Sequence, residues 1–279
     1  SQAAAGVALA TCKKIRLISE HTEEVDTEGN TPLFLSAAAG DASAATLLLL
    51  SGANSRMSNK KMDTPLHAAA GANHAKVVKI LLTHGADMHA KNKVGRTAMV
   101  VAQMKRAREA VGALVDAGAE GDLHTAALLN SVDMAASFCR DGANVNCQDK
   151  AKFAPLHIAA SYGSIEVAML LINQNAGVNV TADSFTPLHI AAVYGQKDIA
   201  RLLIQNKGSV NALDKYGCTA LHHAAQSNDH DVAQLLLELG AGVSAGSESA
   251  IVHAARKGSE DVLQLLLAHN ADANAWSAE

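Results

Sequence analysis

Residues 64–85 read TPLHAAAGANHAKVVKILLTHG, and this stretch decides the fold. Thr64 followed by Pro65 opens a helix: the hydroxyl can cap free backbone N–H groups, and proline tolerates the first turn, where its missing N–H is no loss. Leu66 and the Ala69–Ala70 pair then face inward on a short first helix. AKVVKILLTHG follows as a second helix, with Val77, Val78, Leu81 and Leu82 on one face at helical spacing. Gly85 can take the left-handed conformation that stops it. The next stretch, ADMHAKNKVGR from Ala86 to Arg96, holds a turn before Thr97 starts the pattern again. A helix pair of this size cannot bury its apolar face alone, so neighbours must stack.

The pattern returns along the chain as TPLFLSA from Thr31, TPLHAAA from Thr64, TAMVVAQ from Thr97 and GDLHTAA from Gly121. It continues as APLHIAA from Ala154, TPLHIAA from Thr186, TALHHAA from Thr219 and SAIVHAA from Ser249. Successive offsets are 33, 33, 24, 33, 32, 33 and 30 residues. Upstream, KKIRLISE followed by DTEGN matches the back half of a further unit, so residues 1–30 read as the first of nine. The 24-residue step is about nine short, the length of one projecting connection. The helix pairs on its two sides are expected to join by a short turn around Gly118–Gly121, leaving a weak point in the stack.

The motif TPLHxAA, then a Leu-Leu helix, then Gly-Ala-Asp/Asn-Val-Asn resembles the ankyrin repeat over nearly all of residues 1–279. The stretch Thr186–Ala192 with Gly195, Leu202–Leu203 and Val210–Asn211 is close to the family consensus. The resemblance implies an all-α repeat solenoid of about nine stacked ankyrin repeats, each a helix-turn-helix with a β-hairpin, one of them lacking its hairpin. It also implies a concave face made by hairpins and first helices. The organisation expected is a single domain over 1–279. Within it, repeats 1–4 (1–120) carry a basic patch and repeats 5–9 (121–279) carry an aromatic ladder.

Composition narrows the function. The chain is 49% hydrophobic but 3% aromatic, with four prolines, which suits closely packed helices rich in Ala, Leu and Val. A net charge of −4 gives no global attraction to nucleic acid or to anionic membranes. No apolar run reaches the roughly 18 residues a membrane span needs, and the opening SQAAAGVALATCKKIRL lacks the layout of a signal peptide. Cys12, Cys139, Cys147 and Cys218 form no CxxC pair and read as reduced packing residues of an intracellular protein, cytoplasmic or nuclear. Neither terminus shows the polar outer face that terminal repeats need, so the chain reads as part of a longer protein, with Trp276 expected to cover exposed core.

Thirteen histidines raise a metal or catalytic reading. Five of them, His67, His124, His157, His189 and His222, occupy one place in the motif, and a repeated position argues for a repeated structural task. That task is hydrogen bonding that ties one loop to its neighbour. The adjacent pair His222–His223 diverges on its helix. No HExxH, phosphate loop, GxSxG or GxGxxG occurs, so no enzyme activity, cofactor or metal is expected.

The family's variable positions lie at the hairpin tip, before the Thr and after the Ala pair. Five of the eight aromatic residues fall there in consecutive units: Phe153, Tyr162, Phe185, Tyr194 and Tyr216. Aromatic side chains dominate interface hot spots, so they form the first candidate partner site. A second candidate is Lys60, Lys61, Lys93, Arg96, Lys105 and Arg106, suited to an acidic or phosphorylated segment. Nucleic acid is disfavoured because aromatics do not interleave with these cations. The function implied is a protein–protein interaction module, a monomeric stack with no membrane insertion. The alternatives are an architectural scaffold or spacer, or the substrate-recruiting domain of a longer multidomain protein. Some ankyrin domains are hydroxylated at the hairpin Asn, a position that Asn146 and Asn211 match.

Overall fold

A computed structural model describes residues 23–275. Most of the expected first unit, Cys12 and Trp276 lie outside them. The described residues form sixteen α-helices in eight pairs, and the chain parts into two compact units between Gly121 and Asp122.

The first unit holds three pairs: α1 (Pro32–Ala39) with α2 (Ala42–Leu50), α3 (Pro65–Gly71) with α4 (Ala75–Thr83), and α5 (Ala98–Met104) with α6 (Arg108–Asp116). First helices pack on first helices, α1 on α3 and α3 on α5, and second helices do likewise. The second unit repeats the plan five times. Its first helices are α7 (Leu123–Leu129), α9 (Pro155–Tyr162), α11 (Pro187–Val193), α13 (Ala220–Ser227) and α15 (Ala250–Lys257). Its second helices are α8 (Val132–Arg140), α10 (Ile165–Asn173), α12 (Lys197–Gln205), α14 (His230–Glu238) and α16 (Glu260–Ala268).

Local chemistry sets these bounds. Thr31 caps α1 by accepting the Phe34 N–H on its hydroxyl at 3.1 Å, and proline follows the cap at α1, α3, α9 and α11. The chain after α4 turns off at Gly85, which has φ +78°. There the Ala86 N–H bonds back to the Leu81 carbonyl at 3.0 Å. Packing then follows the small residues. Ala69–Ala70, Ala159–Ala160, Ala191–Ala192 and Ala224–Ala225 are sealed from solvent, and each pair lets two helix backbones approach. Leu66, Leu81, Leu171 and Leu203 fill the space between layers and are fully buried. Leu82 departs from expectation: Val77, Val78 and Leu81 are buried, whereas Leu82 is half-buried at the margin of the stripe.

Pairs are joined by connections of fourteen residues (51–64, 84–97, 141–154, 206–219), thirteen (174–186), eleven (239–249) and six (117–122). The projecting part of most is a five-residue turn. Asn59 shows why: its N–H bonds to the Asp63 carbonyl at 3.0 Å and the Met62 N–H returns to the Asn59 carbonyl at 2.8 Å. Its side-chain oxygen accepts the Lys61 and Asp63 N–H groups, which is the reason an Asn or Asp starts such a turn. Asp26, Asn92, Asp149 and Asp214 repeat this geometry. At residues 182–185 no Asn or Asp opens the turn. It contracts to the two residues Asp183 and Ser184, both at positive φ, between an isolated ladder pair of Ala182 and Phe185. No other β-ladder pairing occurs among the described residues.

Candidate functional site

The repeated histidines sit where two pairs meet. In α3, His67 Nδ1 accepts the Thr64 N–H at 3.2 Å and lies 2.8 Å from the Thr64 hydroxyl. Nε2 therefore carries the proton and donates it to the Arg96 carbonyl of the next turn at 2.9 Å. His157 repeats this with the Ala154 N–H and the Phe185 carbonyl, at 3.1 and 3.0 Å. His189 bonds the Thr186 N–H and the Ala212 and Cys218 carbonyls, and His222 bonds the Thr219 N–H and the Glu248 carbonyl. Burial holds His157, His189 and His222 below the usual histidine range. Both ring nitrogens are thus engaged, Nδ1 at the cap of its own helix and Nε2 at the turn of the next pair.

His124 keeps half of this arrangement. Its Nε2 reaches the Phe153 carbonyl at 2.8 Å, but its Nδ1 faces the Asp122 carboxylate at 3.5 Å. Asp122 caps α7 and accepts the Thr125 N–H and hydroxyl, each at 2.8 Å. Burial opposes charge on both groups, yet the pairing outweighs it. Asp122 is lowered to about 2, and His124 is raised by Asp122 and by the Phe153 carbonyl.

A second set of histidines pairs with carboxylates that sequence spacing did not single out. His223 Nε2 lies 2.9 Å from Asp214 Oδ2, nine residues back across the turn, and its ring packs on Phe185 and His189. His253 Nε2 lies 3.2 Å from Glu248, which Arg256 also holds through two bonds at 2.9 and 3.0 Å. Repetition could have exposed these, because His223 and His253 occupy one place in α13 and α15. Cys218 Sγ stands 4.0 Å from His253 Nε2, but burial and the nearby carboxylates push its thiol up. Burial does the same at Cys139 and Cys147. Among the described residues no three His, Cys, Asp or Glu side chains are placed to hold a metal ion, and no helix is long and apolar enough to cross a membrane.

The family model for ankyrin repeats (three copies) matches residues 33–122, 123–214 and 206–276. The chain belongs to the ankyrin-repeat family. Ankyrin repeats are in general protein–protein interaction modules. No curated protein sequence matches the chain closely enough to count as a relative.

Within this ankyrin-repeat chain the five aromatic residues fall into two groups at opposite ends of the first helices. Phe153, Phe185 and Tyr216 lie on the turn side, before the caps of α9, α11 and α13. Tyr162 ends α9, and Tyr194 is the residue just past α11. Phe153 and Phe185 are half-buried, each edge-on to the histidine four residues later, with ring centres 5.5 and 6.0 Å apart. Tyr194 and Tyr216 are 48% and 66% exposed.

The basic residues divide in the same way. Lys60, Lys61, Lys93 and Arg96 lie on two consecutive turns, which the Lys93 N–H joins at 2.9 Å to the Lys61 carbonyl. Lys105 and Arg106 lie past the other end of α5, about 10 Å of helix away. The Asn146 and Asn211 side chains accept the Gly177 and Gly242 N–H groups of the next units, each at 2.8 Å.

Proposed function

We propose that this chain is a recognition module that binds a partner protein or peptide on its turn and first-helix side and performs no chemistry. On this reading residues 1–30 complete a stack of nine repeats, the projecting turns serve as the hairpins, and the stack works as a monomer in the cytoplasm or nucleus. The observation that carries it is the exposure of Tyr194 and Tyr216 beside Val193 and Leu213, which are 38% and 53% exposed. The core of the same unit is sealed beneath these exposed side chains, and rigid rings on a rigid scaffold are what interface hot spots use. The absence of chemistry is supported by histidines engaged at both nitrogens and by thiols pushed up rather than activated.

The test is capture of partners by the full chain and by a Tyr194→Ala/Tyr216→Ala variant, with helical content and melting temperature followed in parallel. Loss of one discrete partner at unchanged melting is expected. Identical capture by both proteins would move the binding surface elsewhere.

A further inference from the structure

The first unit carries a charge pattern that the tyrosine surface does not use. Between Lys60 and Arg108 the chain holds ten Lys or Arg residues against Asp63 and Asp87 alone, within a protein whose net charge is −4. The described part of this unit, residues 23–121, has eleven Lys or Arg and ten Asp or Glu, while residues 122–275 have nine against fifteen. Positive charge is therefore concentrated on a short segment, and much of it stands on two turns.

Three observations give that segment a shape. First, successive turns are zipped through the backbone: the Lys60 N–H bonds to the Glu28 carbonyl at 3.0 Å, and the Lys93 N–H to the Lys61 carbonyl at 2.9 Å. The third-place carbonyl of the next turn is that of Val94. The next connection along the chain, 117–122, has no turn to zip onto it. Val94 is 68% exposed, and no backbone N–H among the described residues bonds to its carbonyl. Second, Lys61, Lys91 and Lys93 are exposed and carry no ion pair among the described residues. Lys60 is partly committed, its Nζ held by the Thr27 carbonyl at 2.6 Å. Third, Met62 is 52% exposed beside the lysines, so the turns offer apolar as well as cationic contact.

We propose that the paired turns 59–63 and 92–96 dock an extended acidic peptide segment of a partner, resting on the reading of this chain as a recognition module. The segment runs along the row of turns, sets carboxylates on Lys61, Lys91 and Lys93, and gives one backbone N–H to the Val94 carbonyl. Spacing fits: neighbouring pairs lie about 8–10 Å apart, and carboxylates two residues apart, on one face of an extended chain, span about 7 Å, a difference that the flexible lysine side chains take up. Met62 and Val94 select apolar residues between the acids. The preceding turn carries Glu28, which repels such a segment and confines it to these two turns. Nucleic acid lacks a stacking platform here, since Phe34 is the one aromatic residue between 23 and 121.

The experiment uses the full chain and a labelled peptide of about twelve residues alternating Glu and Leu, long enough to cross both turns. Its comparators are the Gln-for-Glu peptide, a phosphoserine-for-Glu peptide and a single-stranded RNA of similar length. Expected are binding that weakens as salt rises and a loss of about tenfold or more for Lys61→Glu/Lys93→Glu. A Lys76→Glu/Lys257→Glu variant, which changes the same charge elsewhere, should lose less than about threefold. Equal loss in both variants, equal binding of the Gln peptide, or clear preference for the phosphopeptide or RNA overturns the proposal. If no acidic peptide binds while Tyr194→Ala/Tyr216→Ala still abolishes partner capture, this inference falls and the recognition reading stands.

Discussion

The last first helix of each unit carries valine where five of the other six first helices carry the joining histidine. In the three-pair unit, α3 has His67 and α5 has Val100. In the five-pair unit, α7, α9, α11 and α13 have histidine and α15 has Val252. The difference lies in the neighbouring turn. Every one of these histidines has a carbonyl from the next turn in reach of Nε2, whereas α5 is succeeded by the six-residue connection 117–122, which supplies no turn. At half-buried Val100 a histidine would have no next-turn carbonyl for Nε2, so it would gain less there than at the buried positions of α3, α9, α11 and α13. Phe34 in α1 shows that the histidine is one solution among others. There the next turn is held by the Asn59 side-chain amide donating to Asn30 Oδ1 at 2.9 Å and by the backbone zip, bonds that the α3 junction makes as well as its histidine bond.

Moving the histidine tests this comparison with the largest effect. His157→Ala strands the buried Ala154 N–H and removes the bond to the Phe185 carbonyl, which keeps the Ala182 N–H, and is expected to cost about 1–3 kcal/mol. Val100→His in the first unit offers Nδ1 to the Thr97 N–H but gains no next-turn carbonyl for Nε2, and should be neutral or destabilising by up to about 1 kcal/mol. Urea midpoints of the two variants decide. If Val100→His stabilises the chain, the link between histidine and neighbouring turn is broken.

Proton binding sharpens the comparison within the second unit. His157, His189 and His222 have folded pKa values below 6.5, so folding favours their neutral form. Their contribution is present above the unfolded value and is lost as pH falls beneath it. His124 is raised, so its contribution is full below about 6.5 and is lost as pH rises through its folded value. Asp122, lowered to about 2, adds stability above its ordinary range that disappears only on strong acidification. Protonated Nδ1 cannot accept the cap N–H. The Thr186 and Thr219 amides should therefore exchange roughly tenfold faster at pH 5.5 than at 7.5 after correction for intrinsic rate. The Thr125 amide, held by Asp122, should not. Uniform acceleration of all three would show that the histidines titrate alike.

How far the sequence foretold this depends on whether the signal is local. The helix pairs, their caps and the two-ended task of the histidines come from one motif repeated in register. The division of the aromatics does not follow from residue type. Phe153 and Phe185 precede a histidine by four residues and turn edge-on to it, while Tyr216 stands at a turn tip with no ring in that relation. Distance from the cap, rather than aromatic identity, separates a packed ring from an exposed one. The His223–Asp214 pair was hidden for a different reason. It joins residues nine apart through a turn whose geometry depends on the same Asp214, whose Oδ1 accepts the Tyr216 and Cys218 N–H groups.

The smallest effect concerns the turns. In the first unit the left-handed place of turn 92–96 is Gly95, with φ +75°, and a Cβ added there meets no atom within 4 Å. In the second unit the shortened turn puts Asp183 and Ser184 at φ +49° and +71°. A two-residue turn of that kind favours glycine at its second place, and aspartate tolerates the first. Asp183 is further held by its ion pair with Lys215 of the next turn. Ser184→Gly should relieve about 1–2 kcal/mol of left-handed strain. It should return about 0.5–1 kcal/mol to the entropy of the unfolded chain, for a net gain near 0.5–1 kcal/mol. Gly95→Ala makes the reverse exchange and should lose a similar amount, since its cost is backbone alone. Thermal midpoints read both changes. A loss on Ser184→Gly would mean that the serine side chain, and not the backbone, sets this turn, and that the two units close their turns by different chemistry.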